Sequence, residues 1–352
     1  PDKANRHRPE SYVSRGLDVN ATNLCCVSGD QRVVTDKGLV TVKELYELGC
    51  ENLVVGMTGV DKASAMLLPR PNAPMVEINT SQGYSHKVTP DHRVWKKGHG
   101  WIEAQDLIEG DEILIQQVEG LFGSNDNLDL AFLMGLIAGD GTYSPHSVFI
   151  DLWEGKNLNL MSEIEDMVER LISNENLNTS ATLKPTFGVT SDGKKARLSS
   201  APLARVLNSH GFNKETKLVV PELIWKGTKE TVGKYLEGLY LADGGMQSSG
   251  YSSALSLSSV NKKFLQEIQI LWANFGVKSS LSKLNDGGIR DFGEKGGGAY
   301  LVQTCYRLLI TSVKGCKIAD DIVGLTKYRS GNTVDTFKRN LAKKGYKQKM
   351  YA

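Results

Sequence analysis

The chain of 352 residues is 40% hydrophobic and 23% charged, with a formal net charge of +2. That balance excludes an intrinsically disordered protein and leaves room for two or three cores. The five cysteines, Cys25, Cys26, Cys50, Cys305 and Cys316, form no CxxC pair, which argues against both a zinc site and a disulfide framework. With no signal peptide and no apolar run of bilayer length legible, the expectation is a soluble protein of a reducing cytoplasm without a membrane partner.

Residues 1–25, with Pro1, Arg6, Arg8, Pro9 and Arg15, show no periodicity and read as the end of something rather than as a domain. From Cys26 the texture turns to short β-type runs. Arg32-Val33-Val34-Thr35, the turn Asp36-Lys37-Gly38 and Leu39-Val40-Thr41-Val42 predict a tight hairpin. Leu45 and Leu48 on one face predict a short helix over 43–48. Strand-like runs follow at 75–78, 86–89, 100–104 and 110–115, so 26–118 reads as one mostly-β unit and 119–125 as a linker.

An internal repeat comes next. Residues 133–141 read Leu-Met-Gly-Leu-Ile-Ala-Gly-Asp-Gly, and 236–244 read Leu-Glu-Gly-Leu-Tyr-Leu-Ala-Asp-Gly. After Asp140 the pattern predicts a strand at 147–152, a helix with Ile164, Val168 and Leu171, a strand pair over about 179–198, and a helix with Leu203 and Val206. After Asp243 the order recurs: a strand at 254–257, a helix with Leu265, Ile268, Trp272 and Phe275, strands around 277–284 and 301–310, and a helix near 318–323. Residues 327–352 hold eight Lys or Arg against one acid, Asp335, and read as a solvated, helical, basic tail.

Taken singly, 133–141 is a buried helix end. Glycine inside a helix costs about 1 kcal/mol against alanine, so Gly135 and its counterpart Gly238 need a reason, and close approach of two helices supplies one. Packed in pseudo-twofold fashion, the helices deliver Asp140 and Asp243 together at their C-terminal ends, where the dipoles oppose negative charge. A divalent cation relieves that cost. Oxygen ligands with open positions suit Mg²⁺, which can assist phosphodiester hydrolysis.

The two nonapeptides resemble the defining motif of the double-motif LAGLIDADG homing endonucleases, and the resemblance runs over about 125–325. It implies an α+β endonuclease of two pseudo-twofold-related αββαββα-like halves (119–325, halves 126–212 and 213–325), expected to act as a monomer on double-stranded DNA. It makes Asp140 and Asp243 catalytic acids that bind Mg²⁺. The first copy departs at Ala138 and Gly139 and the second at Leu241, positions that pack rather than catalyse. A basic residue near the scissile phosphate is expected, with Lys194, Lys195, Lys217 and Arg307 as candidates. Thr182, Lys184, Ser279, Ser282 and Lys283 are candidate base or phosphate contacts. For each of these, an exposed surface side chain is the plainer reading.

Ahead of that unit, Cys26-Val27-Ser28-Gly29-Asp30, Thr89-Pro90-Asp91-His92 and the closing Gly110-Asp111-Glu112-Ile113 resemble the N-terminal splicing blocks of inteins, a mostly-β Hint-type domain; Gln31 stands where the family has Thr. The chemistry fits the residue types. A Cys26 thiol can attack the preceding carbonyl, and the amide nitrogen must gain a proton, with His92 as donor and Thr89 bonding nearby; no cofactor is needed. On this resemblance 1–25 is a flanking host segment (the N-extein), whose end resembles ribonucleotide reductase large subunits. Residues 326–352 would lead back to C-terminal splicing blocks expected on a further intein segment, since none is legible in this chain. The alternatives are a free-standing or intron-encoded LAGLIDADG endonuclease or RNA maturase, and a decayed DNA-binding module.

Overall fold

The computed structural model describes residues 26–49, 52–56, 59–63, 71–116, 118–174, 185–250, 252–291 and 298–342. The expectations placed on 1–25, Cys50, Thr182, Lys184 and the end of the basic tail lie outside these residues.

The N-terminal unit opens with β1 (Arg32–Thr35) and β2 (Gly38–Thr41), paired antiparallel as the hairpin pattern predicts. The helix α1 (Val42–Leu48) follows without a linker because Thr41 and Glu44 form a reciprocal capping box. Strands β3 (Asn52–Gly56) and β4 (Gly59–Ala63) complete a sheet of order β2-β1-β3-β4. Two hairpins come next, β5 (Val76–Asn79) with β6 (Ser85–Val88), and β7 (Arg93–Lys96) with β8 (Gly100–Glu103).

The helix α2 (Leu128–Asp140) begins at the Asn127 cap and is buried from Leu130 to Ala138. It leads through β9 (Gly141–Tyr143), β10 (Val148–Trp153), α3 (Met161–Asn174), β11 (Phe187–Val189) and β12 (Lys195–Ser200) to α4 (Ala201–Ser209). The short α5 (Glu222–Trp225) bridges to α6 (Lys229–Asp243), which opens the second copy. There β13 (Gly244–Ser249), β14 (Ser252–Ser259), α7 (Lys262–Asn274) and β15 (Ser280–Asn285) precede an inserted ribbon of β16 (Gly288–Asp291) and β17 (Ala299–Val302). The half closes with β18 (Cys305–Ile310), α8 (Val313–Val323), α9 (Leu325–Tyr328) and α10 (Asn332–Leu341). Each half thus has one antiparallel four-stranded sheet, ordered β11-β12-β10-β9 and β13-β14-β18-β15. One continuous core joins them across α2 and α6.

Three expectations are corrected. Strands β9 and β13, which start directly from the motif glycines, were not anticipated, because their small and polar residues carry no apolar alternation. The single run expected over 301–310 is two strands of different sheets. The basic segment after 325 is not a solvated tail as far as Leu341. In α10, Val334, Phe337 and Asn340 are buried, and Asn340 Nδ2 donates to the Ser252 carbonyl at 3.2 Å and to Ser253 Oγ at 3.1 Å. Its charges occupy the opposite helix face, as amphipathic spacing allows.

The N-terminal unit is docked rather than tethered. Arg32 lies 4.1 Å over the Trp225 ring and pairs with Glu222 at 2.6 Å, while Lys226 reaches Glu44 at 2.6 Å. A second junction forms where the Gln82 carbonyl accepts from Leu281 N and from Gln269 Nε2, each at 2.9 Å. Gly83 is required there twice over: its φ is +89°, and a Cβ would stand 2.6 Å from that of Leu281.

Candidate functional site

The motif helices cross at their glycines. A Cβ on Gly135 would overlap the Tyr235 carbonyl oxygen and lie 2.9 Å from Leu239 N. A Cβ on Gly238 would overlap the Phe132 carbonyl oxygen and lie 2.8 Å from Leu136 N. The contact is therefore backbone against backbone, reciprocal across the pseudo-twofold. Nearer the site, a Cβ on Gly139 would meet that of Ala242 at 2.5 Å. Glycine in one copy thus accommodates alanine in the other, which accounts for the departure of the first motif.

Each helix then stops at once. The backbone turns extended at Gly141 (φ −84°) and Gly244 (φ −66°), whose N–H groups close on Ile137 and Tyr240 carbonyls. A Cβ on Gly141 would lie 2.5 Å from Ile137 Cγ2, and one on Gly244 2.8 Å from Tyr240 Cα. The final glycine of each motif is thus a steric requirement of leaving the helix so sharply.

Asp140 and Asp243 meet at these ends. Burial raises both carboxyls above the usual range, and the Asp140 charge raises Asp243 further. Two lysines act on them, and an arginine sits at the second motif end. Lys156 Nζ lies 3.1 Å from Asp140 Oδ2. Lys217 Nζ donates to the Gly141 carbonyl at 2.7 Å and is attracted by both acids, although burial pulls its ammonium below the usual range. In the second copy, Arg329 NH2 donates to the Gly244 carbonyl at 2.8 Å. Its Nε is buried without a hydrogen-bond partner in the structure, and burial holds the guanidinium below its ordinary value. Lys217 and Arg329 therefore do the same job in the two halves, each gripping the carbonyl beyond the motif aspartate.

Among the expected basic residues, the structure brings Lys217 to the acids. Lys195 is held by Asp151 at 3.0 Å on the outer face of the first sheet, where Asp151 also takes a two-point grip from Arg197 at 2.6 Å. Lys194 is exposed in the turn before β12. Lys283 is exposed at the far end of β15 beside Asp286. Arg307 pairs across the second sheet with Ser258 and Ser282, whereas Ser279 is buried at the Tyr84 junction. Lys156 and Arg329 were missed by sequence reading. Neither belongs to a motif, and only Arg329, as the partner Lys217 needs in the second copy, left a trace that the repeat could have supplied.

Among the described residues no cluster of three or more His, Cys, Asp or Glu could hold a metal ion. Two mutually repelling carboxylates, a half-buried Asp140 and an exposed Asp243, still fit a magnesium ion, which binds through one or two carboxylates and completes its shell with water and substrate phosphate oxygens.

The second candidate site lies in the N-terminal unit. Cys26 N donates to Thr89 Oγ1 at 2.8 Å, and Thr89 N returns a bond to the Cys26 carbonyl at 2.9 Å. The Val27–Val88 bridge fixes that register. His92 N closes on the Thr89 carbonyl at 2.9 Å, so one tight turn links Thr89, which bonds the Cys26 backbone, to His92. The His92 ring packs edge-on to His86, with centroids 5.7 Å apart. Burial first, and then the charge of His86, push His92 down to about 4, against the opposing pull of Asp91. Asp30, whose carboxylate takes a short bond from Ser28 Oγ, orders the turn at 28–31 rather than the reacting atoms.

Residues 230–322 match the family described as LAGLIDADG-like domain, so the α+β repeat carries a LAGLIDADG-like domain in its second half. Over 97% of its length the chain is 31% identical to the Bacillus subtilis (strain 168) ribonucleoside-diphosphate reductase NrdEB subunit alpha, of which it covers 33%. The large subunit of the same enzyme from Invertebrate iridescent virus 6 is 23% identical over 88% of the chain, with 31% of that protein covered. The chain thus spans about a third of the length of these curated relatives. Among solved structures, variants of the homing endonuclease I-DmoI align with a TM-score of 0.36 and 18% identity, covering 56% of this chain and 96% of theirs. The N-terminal LAGLIDADG domain of DUF199/WhiA aligns with a TM-score of 0.32 and 15% identity, over 58% and 85%.

Proposed function

We propose that this chain is an intein-type element: a site-specific, magnesium-dependent DNA endonuclease joined to the N-terminal part of a protein-splicing centre, inserted in a ribonucleotide reductase. The observation that carries the nuclease reading is the reciprocal glycine crossing of α2 and α6, which brings the two motif carboxylates together within reach of the Lys217 charge. When bound, magnesium would supply electrophilic assistance and an activated water. Asp140 and Asp243 would hold it from the two halves. Lys217, which the charges of both acids act on, and Arg329 at the second motif end would be the donors to phosphate oxygens as they gain charge, and preorganised donors of this kind contribute strongly to transition-state stabilisation. The exposed sheet faces carrying Lys195, Arg197 and Arg307 would lie along the duplex. Supporting the host assignment is the match to reductase subunits over nearly the whole chain.

The splicing reading rests on Cys26, Thr89 and His92. Thr89 orients the amide N–H of Cys26, the nitrogen that must leave. His92, neutral at pH 7, takes the Cys26 thiol proton. Sγ bonds to the residue-25 carbonyl carbon, the C–N bond breaks, and His92 returns the proton to the freed nitrogen, so the step closes without a co-reactant.

One observation favours a second reading, a DNA-binding module that no longer cuts: Lys156 already neutralises Asp140. Both readings face the same test, cleavage of the uninterrupted host gene by the full chain with Mg²⁺. Cutting that disappears in Asp140→Asn and in Asp243→Asn supports the nuclease. Tight binding without cutting supports the second reading, and cutting that persists in both variants rejects the two-acid site.

A further inference from the structure

One residue of the N-terminal unit departs from the pattern that brought Cys26 and His92 to notice, and in the fold it touches a second histidine. Gln31 stands where threonine is expected, and His86 Nδ1 lies 3.1 Å from Gln31 Oε1. Gln31 is itself fixed through its backbone: its N–H donates to the Ser28 carbonyl at 3.0 Å, and its carbonyl accepts from Val42 N at 2.9 Å. A carbonyl oxygen only accepts, so with the amide oriented this way the His86 proton sits on Nδ1. His86 lies on β6, the strand that also carries Val88 into its bridge with Val27 and ends beside Thr89. Its ring meets that of His92 at an interplanar angle of 76°. His92 Nδ1, by contrast, is buried without a hydrogen-bond partner in the structure. The backbone of its turn is fixed, but the His86 ring is the aromatic neighbour that sets the plane of the imidazole.

We infer that His86, clamped by Gln31, is a positioning residue of the Cys26 centre that fixes the His92 ring and restricts the histidine pair to one proton. This rests on the splicing reading above. The physical reason is short-range repulsion: two imidazolium rings in contact within a buried site cannot both be charged cheaply. The titratable groups acting on His92 are His86, from β6, and Asp91, from its own turn. Burial is the largest force against a charged His92 ring, the His86 charge adds to it, and Asp91 favours the charged form. His92 therefore enters the reaction neutral, as acceptance of the thiol proton requires, and gives that proton up readily to the leaving nitrogen.

The test uses the full chain with labelled histidine, read in two ways: the NMR titration of His92, and release of residues 1–25 by dithiothreitol, which intercepts a thioester at Cys26. In His86→Leu the His92 titration is expected to move to higher pH. Thiol-induced release should fall about tenfold, the worth of one oriented contact of ~1.4 kcal/mol. Gln31→Leu, which leaves both rings in place, should produce a smaller shift in the same direction, and it carries the test should His86→Leu fail to fold. His86→Asn keeps the bond to Gln31 without a second imidazole. It should recover part of the rate but not the titration. A His92 titration unchanged in both His86→Leu and Gln31→Leu overturns the inference, even where wild-type protein releases residues 1–25. Absence of release from wild-type protein, or equal release from Cys26→Ala, overturns the splicing reading and this role of His86 with it.

Discussion

Gly135 presses against Tyr235 so closely that any side chain on it would enter the Tyr235 carbonyl oxygen. Alanine at Gly135 would gain up to about 1 kcal/mol of helix propensity, but the helices would have to separate to admit it. Overpacking of this kind costs about 1–3 kcal/mol, and here the obstacle is backbone, which cannot rotate aside. Gly135→Ala is therefore expected to destabilise the chain by about 2 kcal/mol in chemical denaturation. It should also lower cleavage by shifting Asp140 away from Asp243. An unchanged denaturation midpoint would show that the crossing is looser than described.

The acid pair makes stability depend on pH and on metal. Both carboxyls are raised by burial, so the folded state holds their protons more tightly than the unfolded chain. Their contribution is favourable below the unfolded carboxylate range and is lost as pH rises through the folded values. At pH 7, without divalent cation, Asp243→Asn should consequently raise the melting temperature. Mg²⁺ should raise the wild-type melting temperature at pH 7, less so at pH 5, and should leave the variant nearly unmoved. Calorimetry across those four conditions decides it.

Lys217 and Arg329 grip equivalent carbonyls and are expected to act as a pair. Lys217→Met and Arg329→Met should each reduce single-turnover DNA cleavage by ~10²-fold, the usual loss for one preorganised donor, with a much smaller change in DNA affinity. Arg307→Ala should do the reverse, weakening binding and reducing the slope of log affinity against log salt by about 1 if it meets a phosphate. Equal effects of all three on binding would mean that Lys217 and Arg329 only dock DNA.

Phe337 is fully buried in α10, against the second half. Phe337→Ala is expected to cost about 3–5 kcal/mol, measured as a shift of the whole unfolding transition. An early, separate transition would instead mark α10 as an independent appendage.

A large part of this architecture was legible beforehand because local rules agree with the fold. The Arg32–Thr41 hairpin, α1 and the order of elements after each motif follow from periodicity and turn residues. The repeated nonapeptide marked Gly135, Gly238, Asp140 and Asp243 without any structure. Other features were silent for a physical reason. Strands β9 and β13 follow from the exit angle at Gly141 and Gly244, not from residue pattern, and α10 looked like a solvated tail because charge dominates its composition while its apolar face is narrow.

By itself, then, the sequence singled out the two motif aspartates, the glycines that let two helices touch, and a cysteine, threonine and histidine in one turn-linked unit; these are properties of residue type and short spacing. Tertiary structure alone decided which cations stand at the motif ends, setting Lys156 on Asp140, Lys217 near both acids and Arg329 on the Gly244 carbonyl, rather than Lys194, Lys195, Lys283 or Arg307. It alone set Gln31 against His86 and His86 against His92. A flexible basic side chain carries no mark of its destination, and its role depends on which buried carboxylate or carbonyl the packed backbone leaves within its reach.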